Sequence, residues 1–382
     1  MRAASLDELL WHQAPLSMAA AATSDHRFYD RVFLTVTDPL GSAALAMGMG
    51  VYKNMNVVDG FGVLALPGRQ INVRVSRPLA GRLEGEAGGL RYDVIRPFGE
   101  IRLALTGDHP LTYDLAWTAT FPAIEEDAWW GTRNTVNERV AIDVRRYEQV
   151  GRVNGWIEAE GRRIDVKDWF GARDHSWGVR GGVGGYEPDN GGRLIDGRGM
   201  LLAWFLFDCG AFCGVIARTE DDEGRQRGLT GRLAFPEGSG KPGLEIVSAA
   251  FDCTFEEASR YYRETRVRFT TADGGEWKLL AQALPVAALC RGGGYEGGWR
   301  DERGLGFHRG ERIEHDIYRH GPDPHTAVLE NGGTLDHNQR EQVARVTITD
   351  PAGKRHHGMG DCTLIARGDL PRHGLGRRPL RL

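Results

Sequence analysis

The feature that most restricts this chain is an apolar–polar alternation of period two, broken by turn signals at short intervals. Leu111, Tyr113, Leu115, Trp117, Ala119 and Phe121 alternate with Thr112, Asp114, Ala116, Thr118 and Thr120. Ile101, Leu103 and Leu105 repeat the pattern, as do Val32, Leu34 and Val36. Successive strand residues point to opposite faces, so each such segment has one buried and one wetter side. Asp38-Pro39-Leu40-Gly41, Asp59-Gly60, Pro67-Gly68, Asn154-Gly155, Glu223-Gly224, Asp273-Gly274 and Asn331-Gly332 punctuate these runs. Glycine supplies that punctuation: 53 of the 382 residues, about twice the ordinary ~7%. Helical spacing is scarce, and Phe255 to Arg266 is the main ambiguous window. Many strands on short connections predict an antiparallel all-β fold.

A length of 382 residues exceeds what one sandwich needs and suits two units of ~100–200 residues. The glycine-rich, polar stretch from Gly181 to Gly199 is the expected junction. The division is therefore 1–185, with a short helix from Ser5 and Glu8 that stops before Pro15, and 186–382. Each half is expected to form a β-barrel or half-open sandwich, since closing a sheet removes its edges and about eight strands can enclose one small ligand.

Several classes of function are disfavoured. The 48 Lys and Arg against 52 Asp and Glu give no global field for a nucleic acid or an anionic membrane. Asp7 and Glu8 sit where a secretory signal needs an apolar core. The most apolar stretch, Met200 to Ala217, is split by Asp208, Cys209 and Gly210, which reads as two strands and a turn rather than a membrane span. A soluble, cytoplasmic protein is expected. The five cysteines lack CxxC spacing, and eight of the twelve histidines lie beyond residue 300 without a metal-ligand pattern, so no metal is expected. Gly304-Leu305-Gly306 lacks a dinucleotide fingerprint, and Pro242 follows Gly238-Ser239-Gly240-Lys241 where a phosphate loop needs Ser or Thr. No cofactor is expected.

The densest run of chemistry-bearing groups is Arg173-Asp174-His175-Ser176-Trp177-Gly178-Val179-Arg180-Gly181. An Asp beside a His makes a candidate acid–base pair near neutral pH, although adjacent strand residues need a turn or bulge to cooperate. Arg180 is a candidate partner for a developing oxyanion, and Trp177 a stacking surface. Tyr52 and Lys53, at the end of an apolar strand, are candidate proton donors. Trp129 and Trp130 are candidates to cap a barrel mouth, Tyr186 to gate the junction, and Trp299 with His308 to close the second half over a ligand. The alternative for the motif is a structural Asp–Arg–His staple between the two halves. Asp208 reads as a turn carboxylate.

This run resembles the Asp-His-Ser-Trp-Gly signature of the tandem-lipocalin superfamily, which includes carotenoid hydratases and AttH-like proteins. The resemblance is in sequence over residues 168 to 181 and in architecture over the whole chain. It implies two lipocalin-like antiparallel β-barrels in tandem, with Asp174, His175, Trp177 and Arg180 lining a pocket. It further implies cofactor-free chemistry on a bulky hydrophobic molecule. The leading expectation is a lyase that uses acid–base chemistry, by elimination or retro-aldol cleavage, on an aromatic small molecule. The resemblance extends this to formaldehyde release from a phenylcoumaran-like lignin dimer. The alternatives are a hydratase or isomerase of an isoprenoid, and a carrier that binds a hydrophobic ligand unchanged. The expected partner is the small-molecule ligand, with a homodimer left open.

Overall fold

The computed structural model describes residues 5–8, 10, 12–126, 134–136, 139–185, 199–321 and 323–376. Strands dominate, as the alternation predicts, and among the described residues the helical segments are single 3-10 turns, the first at Ser5–Glu8. The first half contains β1 (Phe28–Thr37), β2 (Ala44–Tyr52), β3 (Val57–Leu66), β4 (Arg69–Pro78), β5 (Glu86–Ala87), β6 (Leu90–Arg96), β7 (Glu100–Leu105), β8 (Leu111–Ala119), β9 (Ile124–Glu125), β10 (Asn134–Val136), β11 (Arg139–Ala159) and β12 (Arg162–Val179). Then come β13 (Gly199–Asp208), β14 (Cys213–Asp221), β15 (Gln226–Ala234), β16 (Leu244–Phe255), β17 (Tyr262–Thr271) and β18 (Glu276–Ala283). The rest are β19 (Ala288–Leu289), β20 (Arg312–His320), β21 (Thr326–Leu329), β22 (Thr334–Asp336), β23 (Arg340–Glu341), β24 (Val343–Thr349) and β25 (Arg355–Gly368). The ambiguous window Phe255 to Arg266 is the end of β16, a turn, and the start of β17.

Two antiparallel bodies result. β13 to β18 close with β24 and β25 into an eight-stranded barrel, filled by Phe205, Phe207, Phe251, Phe269, Trp277 and Leu364 among others. The other body is a 15-stranded sheet with the order β22-β21-β20-β4-β3-β2-β1-β12-β11-β8-β7-β6-β5, β9 and β10 pairing on β11. It curls so far that a Cβ on Gly88, after β5, would meet Val75 Cγ1 of β4 at 2.9 Å. Its inner face buries Val32, Leu34, Met47, Val73, Leu103 and Trp117 in one cluster. The curl does not seal edge to edge, because β4 continues into β20 instead of pairing with β5. Residues 312–336 of the second half thus extend the first sheet. Arg74 holds them there: its side chain is fully buried and reaches Asp316 at 2.6 Å, Glu314 at 3.2 Å and the Gly292 carbonyl at 2.8 Å.

The outer face of this sheet packs on the barrel. Val150, Phe170 and Ala172 meet Leu206, Cys213, Val215 and Val343 in a shared apolar cluster. Polar links flank it: Thr35 Oγ1 donates to Asp361 Oδ2 at 2.9 Å, and Arg152 Nη1 lies 2.9 Å from Asp208 Oδ2. Asp208 caps its turn by accepting the Gly210 N–H at 2.7 Å, but it is also buried against Arg152, more than the turn carboxylate expected. The five cysteines are free thiols. Among the described residues no helix is long and apolar enough to cross a membrane.

Candidate active site

The Asp-His-Ser-Trp run lies in β12, paired on one side with β1 and on the other with β11. Val32 and Tyr147 flank His175, whereas Phe33 and Glu148 flank Asp174. The register runs without a shift through residues 173–179. With no bulge to rotate one of them, alternation puts Arg173, His175 and Trp177 on the inner face and Asp174 and Ser176 on the outer. The pairing of Asp174 with His175 suggested by adjacency is therefore not formed.

The carboxylate on His175 comes instead from β1. His175 Nε2 lies 2.7 Å from Asp30 Oδ1, and Nδ1 lies 2.9 Å from the Tyr147 hydroxyl. The imidazole is held at both nitrogens, which fixes its ring plane as a proton relay requires. Its ring sits 5.4 Å from Trp177 and 5.3 Å from Tyr147, and Tyr147 is in turn 5.2 Å from Phe98. Beneath them Arg173 is buried, its guanidinium 5.2 Å from the Tyr147 ring centroid and 4.8 Å from that of Trp117. Arg173 donates to Gln149 Oε1 and to the Tyr92 hydroxyl at 3.1 Å. Burial pushes the Tyr147 phenol above its ordinary range, with Arg173 opposing; Tyr92 is pushed up to about 12 by burial in the same way.

The rim of this site is apolar and open. Phe98 is 56% exposed and Trp177 38%, each in edge contact with Tyr147. Exposed aromatics gathered beside a positioned imidazole are a signature of ligand contact more than of folding.

The outer face is a different environment. Arg31, Ser176 and Arg146 lie in one row across β1, β12 and β11, and Phe33, Asp174 and Glu148 in the next. Asp174 Oδ2 lies 3.3 Å from Arg146 Nε, and Glu126 lies 3.6 Å from Arg146. Glu148 is fully buried and accepts from Trp204 Nε1 of the barrel at 3.3 Å. Burial, reinforced by Glu126, holds Glu148 well above the usual carboxylate range. Asp361 and Glu341 on the barrel side are likewise raised by burial, each reached by Thr363 Oγ1, at 3.1 Å and 2.8 Å.

Tyr52 also belongs to the outer face. Its fully buried ring fills the space above Gly50, where a Cβ would come within 2.6 Å of the hydroxyl, and Gly306 presses on its other side. Burial and the neighbouring Asp59 hold its phenol far above its ordinary range. Arg180 stacks over the Tyr29 ring at 5.4 Å. Trp299 is buried beneath Arg309, whose guanidinium lies 4.1 Å from the ring, and His308 is exposed. Lys53 sits in the 3-10 turn Lys53–Met55, half-buried. Trp129, Trp130 and Tyr186 lie outside the described residues.

The structure thus brings His175 and Trp177 together on one face, and Asp174, Tyr52 and Arg180 on the other. Asp30, Tyr147 and Arg173 complete the inner group. Asp30 and Tyr147 are invisible to motif reading because they reach His175 from other strands; register alone supplies them. Among the described residues no group of three or more His, Cys, Asp or Glu is placed to hold a metal ion.

Comparison with known proteins finds one family model, described as a family of unknown function (DUF8625), matching residues 3–360. No curated protein matches the sequence. Similar solved structures include the AttH candidate of Nitrosomonas europaea, at 13% identity and a TM-score of 0.49, covering 90% of this chain and 94% of that one. Kievitone hydratase from Nectria haematococca matches at 10% identity and 0.43, covering 91% and 92%. CghA with Sch210972 matches at 11% and 0.48, covering 90% and 89%. These are likenesses of chain course at low identity.

Proposed function

We propose, for a chain that belongs to the family of unknown function DUF8625, acid–base catalysis on a bulky hydrophobic aromatic molecule at the Asp30–His175–Tyr147 relay. The observation that carries this reading is the imidazole clamped between a carboxylate at 2.7 Å and a phenol at 2.9 Å, beside the half-exposed Trp177 and Phe98. In the resting relay Tyr147 donates its hydroxyl proton to His175 Nδ1, and Nε2–H donates to Asp30. As Tyr147 takes a proton from the substrate, its own proton passes to His175, and Asp30 stabilises the resulting imidazolium. Arg173 beneath the ring favours the phenolate character that develops on Tyr147. A single phenolic oxygen at the reacting end keeps the proton path short.

Within this class we favour a lyase. A substrate hydroxyl gives its proton to Tyr147 and a carbon–carbon bond breaks to release an aldehyde. The electron pair then expels a neighbouring phenoxide, which recovers the proton from the relay. With a phenylcoumaran-like dimer the aldehyde is formaldehyde. Hydration or isomerisation of an isoprenoid would use the same relay with protonation first. The test is mass spectrometry of the protein incubated with a panel of aromatic dimers and isoprenoids. A loss of about 30 Da (one formaldehyde, the co-product class such cleavage implies) in wild type and its absence in Tyr147→Phe is expected. Ligands retained without a mass change would replace this reading with a carrier.

A further inference from the structure

The reverse face of the same strand carries two guanidinium groups, Arg31 and Arg180, that form no ion pair among the described residues. Arg31 is buried to 7% exposure, and Arg180 is half-buried. Arg31 packs over Tyr295 at 5.0 Å and Tyr29 at 5.8 Å, and Arg180 over the same Tyr29 ring at 5.4 Å. Asp174 is engaged by Arg146, and Arg31 also lies in the field of Asp59 and beside the Tyr52 hydroxyl. The hydroxyls of Tyr29 and Tyr52 are buried, at 0% exposure each; that of Tyr29 has no hydrogen-bond partner, and that of Tyr52 faces Arg31 and Asp59. A buried donor left unmade costs free energy comparable to a lost hydrogen bond. Two guanidiniums without an ion pair, beside the unpaired Tyr29 phenol, ask for the same thing: an acceptor carrying negative charge.

We propose that this cluster binds the carboxylate of a small aromatic acid. The carboxylate suits the planar forks of Arg31 and Arg180, with Tyr29 and Tyr52 donating to its oxygens. The aromatic part is favoured by the partly exposed edge of the site, where Phe33 lies 6.4 Å from Tyr295 in an edge-to-face pair. A purely inorganic anion would satisfy the charges and leave those rings unused. The site is separate from the His175 relay because β12 itself stands between them.

Calorimetric titration of the full chain with 4-hydroxybenzoate tests the proposal, with 4-hydroxybenzamide as the neutral analogue and inorganic phosphate as the non-aromatic anion. The expected result is saturable binding of the acid, at least tenfold weaker binding of the amide and of phosphate, and at least tenfold weakening in Arg180→Gln. Arg180 is half-buried, so this variant avoids the folding risk of replacing Arg31; Tyr52→Phe serves as a second, near-isosteric variant, expected to weaken binding several-fold. His175→Ala should bind the acid with unchanged affinity, which separates this site from the relay. Equal affinity for acid and amide, unchanged affinity in Arg180→Gln, or loss of binding in His175→Ala would each overturn the proposal.

Discussion

The two faces of β12 carry the same sequence run into opposite physical settings. On the inner face His175 and Trp177 stand at an open rim, 28% exposed in the His175 side chain, with hydrogen bonds that fix a ring but leave access to it. On the outer face Asp174 and Ser176 look into the junction with the barrel, where Arg146, Glu148, Glu126 and Asp361 crowd together in low dielectric. The difference teaches that one alternation gives the motif two separate environments, one open and one buried. Its odd positions carry the proposed acid–base site, and its even positions contribute to an inter-body charge network. On that proposal the acid–base site and the structural staple are complementary halves of one strand.

The largest effect that separates the faces is on chemistry. His175→Ala and Tyr147→Phe should each reduce product formation by about 10²–10⁴-fold, the usual weight of a general acid–base group, while melting stays within a few degrees of wild type. Asp174→Ala should do the reverse. It removes one of the two carboxylates on Arg146, the one at 3.3 Å, and leaves Glu126 at 3.6 Å, costing about 1–3 kcal/mol in urea unfolding, the range for a buried polar group that loses a charged partner. Activity at saturating substrate should stay near wild type.

A smaller effect reads the outer face by pH. Burial holds Asp361 and Glu341 above the ordinary carboxylate range, with Glu341 adding to the effect on Asp361 and Asp174 to that on Glu341. A carboxyl raised in the folded state favours folding below its unfolded value of ~4, and that contribution is lost as pH rises through the raised folded value. Asp361→Asn removes the ionisation and can still accept from Thr35 or Thr363. Its melting temperature relative to wild type should therefore climb as pH increases, and a constant or falling difference would contradict the raised acid. The smallest expected effect on folding is that of Trp177→Ala. At 38% exposure it should change stability by about 0.5 kcal/mol or less, yet weaken retention of a hydrophobic aromatic by about tenfold.

How much of this the sequence makes legible follows from what is local. Alternation in Leu111 to Phe121 and in Val32 to Val36 is a local signal, and it yields the all-β class and the identity of the inner core. The motif is local too, so His175 and Trp177 are found. What register and topology decide is not local. Asp30 reaches His175 because Asp30 pairs with Trp177 across β1 and β12, two residues along from Val32 opposite His175 and on the same face. Nothing in the Phe28–Thr37 segment announces that pairing. Continuation of β4 into β20 is equally hidden, because it joins residues separated by most of the chain and depends on the buried Arg74 meeting Asp316 and Glu314. Likewise Tyr52 reads as a polar hairpin end, but Gly50 and Gly306 make room to bury it completely.

The most direct test compares the two faces in one experiment. Product formation from the aromatic-dimer panel is followed by mass spectrometry for wild type, His175→Ala and Asp174→Asn, alongside the melting temperature of each. Product is expected from wild type and Asp174→Asn, none above background from His175→Ala, and a lowered melting temperature only in Asp174→Asn. Product lost in Asp174→Asn and retained in His175→Ala would place the chemistry on the other face and contradict it.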